Sequence, residues 1–240
     1  FAEDTNGRRQ YTIKFKDLTN NAIYDYNLQN TSGDMAWSRD GVYLFYVERD
    51  EETLLPFRLY RHKIGTSQLE DALIYEEKDP TFYVSVGNTR SMEYVEIDIS
   101  SSTSSEVRLI QSDKPEMVPY IFLEREKDHL YSVDHDPSSK RFLIESNWNA
   151  INFRLLETSL PNSKDKDNWI ELIPHREDVL LQSVIPFPNH LVIMERENGL
   201  KHLKIVNKEN GDSKKIKFND PSYSAYLAAN PEYDAEKFYY

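Results

Sequence analysis

The 240 residues carry 29 Lys and Arg against 41 Asp and Glu, a formal net charge of −12 that speaks against a nucleic-acid-binding surface, because phosphate contacts need clustered cations. With 39% hydrophobic residues, 16 Tyr, 11 Phe and only 7 Gly, the chain can build a core and is neither collagen-like nor low-complexity. The absence of cysteine excludes disulfides, thiolate metal sites and a cysteine nucleophile, and with no membrane-length apolar run and no signal-peptide pattern a cytoplasmic location away from membranes is expected.

In chain order, Asn6-Gly7 sets a turn that the Arg8-Arg9 pair follows directly. Tyr11–Lys16 then places Tyr11, Ile13 and Phe15 on one face and Thr12, Lys14 and Lys16 on the other, the pattern of a half-buried strand. The same alternation over 57–62, 106–110 and 202–206 predicts strands with one face in water. By contrast, 42–47, 141–144 and 191–194 are continuously apolar and predict strands buried on both faces. Helical periodicity is nearly absent.

These elements recur. Trp37, Val84, Val133, Val184 and Tyr226 mark equivalent points separated by 47, 49, 51 and 42 residues, the period of propeller blades. Turn formers follow each mark, at 38–41, 86–88, 136–139, 186–189 and 230–232. The expected architecture is an all-β propeller, an incomplete ring of four-stranded antiparallel blades. Complete blades are placed at 34–77, 80–125, 128–174 and 178–218, with partial ones over 1–28 and 221–240. The serine run at 100–105 and Ser163-Lys164-Asp165-Lys166-Asp167 read as exposed loops. A start at Phe1 and an end in Phe238-Tyr239-Tyr240, which reads as a strand interrupted partway, are expected of a fragment.

No Gly-x-Ser-x-Gly elbow, Walker loop or dinucleotide fingerprint occurs, and the serines around Ser102 lack the glycine-flanked turn that activates a nucleophile. His129 and Asp134-His135-Asp136 are metal-ligand types, yet on a strand Asp134 and Asp136 share one face while His135 takes the other. Glu76, Glu77 and Asp79, beside Lys78 and Pro80, read as a solvated turn rather than an acid–base pair. The sequon Asn30-Thr31-Ser32 matters only in a secreted protein. No catalytic residue, cofactor or metal is assigned.

Trp37-Ser38-Arg39-Asp40-Gly41 resembles the Trp-Ser-Pro-Asp-Gly turn of prolyl-oligopeptidase propeller repeats. Arg8-Arg9-Gln10-Tyr11, Thr53-Leu54-Leu55-Pro56, Arg61-His62-Lys63-Ile64-Gly65-Thr66, Ile74-Tyr75-Glu76-Glu77-Lys78-Asp79, Thr103-Ser104-Ser105-Glu106-Val107-Arg108-Leu109 and Glu171-Leu172-Ile173-Pro174 are similar, in order and spacing, to the oligopeptidase B (protease II) branch of that family. The resemblance implies a parent in which a seven-bladed propeller covers an α/β-hydrolase domain that cleaves short peptides after Arg or Lys with a Ser-Asp-His triad. That domain lies outside this chain, so the chain alone is expected to be inactive and to act as a lid. Its implied partners are the hydrolase domain and short basic peptides. Arg8 and Arg9 match a family pair on the domain-facing side and are candidates for interdomain contact; a solvated hairpin turn is the equal alternative. The family's acidic partner position falls near Ser32-Gly33-Asp34. Two other readings stand beside this one: a free-standing propeller scaffold, which needs a closed ring, and a glycosidase, which needs inward carboxylates on several inner strands.

Overall fold

The period-2 segments fold as antiparallel strands, and in the computed structural model, which describes residues 1–240, the only helical turns are three-residue 3-10 segments at Gln68–Glu70, Leu160–Asn162 and Lys166–Asn168. The chain divides into two units, Phe1–Glu124 and Arg125–Tyr240. Each contains two sheets, and in every sheet neighbouring strands are consecutive in sequence.

The first unit opens with a six-stranded sheet: β1 (Ala2–Glu3), β2 (Tyr11–Lys16), β3 (Ile23–Trp37), β4 (Tyr43–Arg49), β5 (Pro56–Lys63) and β6 (Ala72–Glu76). Its central strand, β3, pairs with β2 from Ile23 to Thr31 and with β4 from Thr31 to Trp37. The hand-over lies between Thr31 and Met35, where the register shifts. Gly33 makes it possible: its φ is +92°, and a Cβ there would sit 3.1 Å from Cγ of the Tyr11 ring. The segment between the expected blades at 1–28 and 34–77 is therefore continuous strand.

The second sheet of this unit holds β7 (Tyr83–Asn88), β8 (Tyr94–Ser100), β9 (Ser105–Gln111) and β10 (Tyr120–Leu123). Ala36, Phe45, Val47 and Leu59 of the first sheet pack against Val84, Val86, Val95, Ile97, Ile99 and Ile110 of the second in one buried cluster. The Asn88 amide fastens the two sheets, accepting from Trp37 N and donating to Trp37 O, both at 2.9 Å. A separate cluster of Ile13, Phe15, Leu28, Leu44 and Tyr46 fills the first sheet's other side.

The second unit repeats the four-stranded plan twice. β11 (Tyr131–Asp136), β12 (Arg141–Ser146), β13 (Arg154–Thr158) and β14 (Ile170–Ile173) form one sheet, and β15 (Val179–Pro186), β16 (His190–Glu197), β17 (Leu200–Asn207) and β18 (Ser213–Lys215) the other. Leu143 and Leu155 meet Leu181, Val184, Leu191 and Ile193 in the shared core. Val184 N donates to Oε1 of Glu145 on β12 at 2.8 Å, so a half-buried carboxyl group bridges the sheets. No strand forms beyond Lys215; Tyr226 is exposed, and Phe238-Tyr239-Tyr240, expected as strand, is irregular.

The marks Val84, Val133 and Val184 fall on the strands that open the four-stranded sheets, β7, β11 and β15, and Trp37 ends β3, the strand that passes from β2 to β4. Three further readings change. Residues 106–110, expected to face water, lie in β9 between β8 and β10 with Glu106, Val107, Leu109 and Ile110 all buried. Gly87 and Asn88 belong to β7 rather than to a turn. The two polar runs are only partly exposed: Ser104, Ser105 and Ser163 are buried, and Ser163 O accepts from the Trp169 indole at 2.9 Å.

Candidate functional site

The Arg8-Arg9 turn links β1 to β2 and exists because Asp4 folds back onto it. Asp4 Oδ1 accepts from Asn6 N at 3.1 Å and Gly7 N at 2.8 Å, and Oδ2 accepts from Arg9 N at 2.8 Å. Desolvation pushes the Asp4 carboxyl up, but these backbone donors, Arg9 N foremost, outweigh it and hold the group below its ordinary range. Gly7 and Arg9 both take left-handed backbone, with φ of 73° and 61°. The one acid of the turn is thus engaged with the main chain, and the Arg8 and Arg9 side chains are exposed.

The opposite wall comes from the β4–β5 connection. Arg49, the last residue of β4, donates through Nη1 to Leu54 O, while its own carbonyl accepts from Asn30 Nδ2 at 2.7 Å. Asp50 is held by Thr53 N at 2.7 Å and Thr53 Oγ1 at 2.8 Å. With Tyr83 at the start of β7, these residues enclose an open pocket of about 410 Å³ lined by Gly7, Arg8, Arg9, Arg49, Thr53, Leu54, Leu55 and Tyr83. No acidic side chain lines it. Arg8, Arg9 and Arg49 form no ion pair, whereas Arg58 reaches Glu76 at 3.0 Å, Arg108 reaches Glu106 at 2.6 Å and Arg141 reaches Glu157 at 3.0 Å.

The other polar clusters are built for stability. His62 Nδ1 lies 2.7 Å from Asp71 Oδ1, and Tyr46 Oη donates to Asp71 Oδ2 at 2.9 Å. Both His62 and Asp71 side chains are sealed from solvent, and His62 stacks against Phe15 at 5.7 Å. His129 Nε2 lies 2.8 Å from Ser146 Oγ and its Nδ1 4.0 Å from Glu126, the order of a Ser-His-acid triad. Its chemistry is absent: Ser146 has no exposed surface, Trp148 N donates to its Oγ at 3.0 Å, and desolvation, followed by the charge on Lys166, pushes the imidazole down to about 4. Asp136 accepts from Lys208 Nζ and Tyr233 Oη at 2.6 Å each; His135 packs on Phe142 at 4.9 Å, and no group of three His, Asp or Glu is placed to hold a metal. Glu77, expected in a solvated turn, is buried and accepts from Lys78 N at 2.9 Å, Asp79 N at 2.8 Å and Tyr75 Oη at 2.6 Å.

Over residues 1–240 the chain matches the family described as prolyl oligopeptidase, N-terminal beta-propeller domain. The chain belongs to that family. It is 37% identical to dipeptidyl aminopeptidase BI of Pseudoxanthomonas mexicana over 97% of this chain and 32% of that protein. Identity to protease 2 of Moraxella lacunata is 33%, over 99% and 34% respectively. The structure of oligopeptidase B from Leishmania major matches with a TM-score of 0.91 at 26% identity, over 99% of this chain and 34% of that one. The chain therefore spans about one third of the length of the curated relatives it matches. The four antiparallel sheets are those of a prolyl-oligopeptidase propeller, the fold the repeat period implied.

In this prolyl-oligopeptidase propeller the sequence pointed to Arg8 and Arg9 but not to Arg49 and Tyr83. Nothing in a single sequence joins Arg9 to Arg49, forty residues on; the β2–β3–β4 pairing does. Ser32, in the stretch read as an acidic position, donates from Oγ to Asp34 Oδ2 at 2.9 Å.

Proposed function

We propose that this chain is the propeller lid of a cytoplasmic serine oligopeptidase that cleaves short peptides after Arg or Lys, admitting them by size. What carries the reading is the match of the entire chain to the N-terminal propeller of a peptidase family, at a length that leaves about two thirds of each relative for other parts. The partner is an α/β-hydrolase domain of the same parent, which supplies nucleophile, base and acid, and Arg8 and Arg9 contact that domain. The only serine–histidine pair of triad-like spacing described above, Ser146 and His129, is sealed. The net charge of −12 favours accumulation of cationic peptides at an opening. Closure of a lid excludes water and completes the catalytic constellation, so it acts on turnover as well as on selection.

The test is a cysteine pair locking propeller to hydrolase in the full-length parent, where this chain adds no background thiol. Cleavage of a short dibasic peptide should fall at least about tenfold in the locked state, as expected when a conformational step gates access, and return on reduction. Equal activity in both states rejects interdomain opening as the gate. Release of dipeptides from a free N-terminus is a second reading, favoured by the name of the 37% identical relative. An N-acetylated peptide separates the two, since only an endopeptidase cleaves it.

A further inference from the structure

We infer that the pocket bounded by Arg8, Arg9 and Arg49 is a carboxylate-binding site on the propeller. Three arginines line it and no acidic side chain does, in a chain where acids outnumber bases by 12. Two aspartates of the flanking turns, Asp4 and Asp50, are engaged by main-chain and threonine donors. None of the three arginines forms an ion pair, and an anion that joined them would relieve the mutual repulsion of their like charges.

The donors left over select the kind of anion. The backbone N–H groups of Asn6, Gly7 and Arg9, which would make a nest for a tetrahedral phosphate, already point to Asp4. Guanidinium forks remain, and a planar carboxylate matches their two parallel N–H groups. Arg49 is the pre-positioned member, fixed at both its carbonyl and Nη1, with a buried Nε that has no partner. Leu54, Leu55 and the Tyr83 ring give apolar surface beside the charges, and about 410 Å³ accepts a carboxylate with one or two attached residues rather than a folded surface. Two sources carry this chemistry: the C-terminal carboxylate of a peptide, or an acidic side chain elsewhere in the parent. The inference stands on the pocket alone and does not depend on gating by size.

The test uses the full-length parent, wild type, R8Q/R9Q and R49K, with calorimetric titration of N-acetyl-Gly-Gly and its C-terminal amide. A peptide source predicts that the acid binds wild type about tenfold or more tighter than the amide, and that both variants lose the preference. R49K retains the charge and loses the fork, so it separates recognition geometry from charge. An internal source predicts no titration of wild type, together with a thermal midpoint lowered by about 3 °C or more in R8Q/R9Q at low salt and by far less in about 0.5 M NaCl, where exposed charges are screened. A preference for the acid that survives in both variants, or no preference with unchanged midpoints, overturns the inference.

Discussion

Two residues at related turns show how backbone conformation, rather than contact, sets the cost of a side chain. At 38–43, Ser38 O accepts from Gly41 N at 3.0 Å and Ser38 Oγ accepts from Tyr43 N at 2.9 Å; at 89–94, Thr89 O accepts from Met92 N at 2.8 Å and Thr89 Oγ1 from Tyr94 N at 3.2 Å. The turns are the same, and Met92, at φ 57°, stands where Gly41 stands at φ 68°. Met92→Gly should therefore stabilise the protein by about 0.5–1 kcal/mol, because a left-handed L-residue costs roughly 1–2 kcal/mol and the added chain entropy returns part of it. Gly33→Ala should do the reverse by about 1–2 kcal/mol, since strain and the Tyr11 ring both oppose a Cβ. Urea midpoints at unchanged m-value measure both. Glu145 is a residue of another kind: desolvation, opposed by Val184 N–H and reinforced by Asp134, pushes its pKa up to about 7. The folded protein then holds a proton that the unfolded chain releases above about 4.5, so this contribution to stability is full below that pH and is lost as pH rises through 7. Between pH 5 and 8 the wild type should lose on the order of 2–3 kcal/mol relative to Glu145→Gln, which keeps an acceptor for Val184 N–H without the charge. Parallel pH profiles for the two proteins would refute the assignment.

Among the elements, the strands most legible in sequence were those whose environment is uniform. β4, β12 and β16 are continuously apolar because they have neighbours on both edges and packing on both faces. β9 also has neighbours on both edges but hides it, for Glu106 and Arg108 neutralise each other at 2.6 Å and Arg108 lies over the Tyr75 ring at 4.4 Å. Satisfied charges look like a wet face when only their letters are read. The turn at 89–93 was illegible for a different reason: it contains no glycine, proline, aspartate or asparagine, and the nearby Gly87 drew the assignment into β7. At the site, Arg8 and Arg9 could be singled out from the sequence, but their partners in the pocket could not, because strand pairing and the meeting of the first two sheets bring Arg49 and Tyr83 to them.

Taken as one molecule, the chain has the propeller fold of its family and a polar interior whose triad-like Ser146–His129 pair is closed to solvent. Isolated 1–240 should accordingly neither hydrolyse Arg- or Lys-containing peptides nor accept a fluorophosphonate, since acyl transfer needs nucleophile, base and oxyanion donors positioned together. Stoichiometric labelling of the pure chain would reject that. The strand order carries a further consequence. Because every pairing in every sheet joins consecutive strands, each sheet needs only residues already made by the time its last strand is translated. Loop closure is short at each step, so the sheets can assemble in the order in which the ribosome delivers them. A nascent chain halted after Glu76 already contains all six strands of its first sheet, and no pairing in that sheet waits on a residue still to be translated.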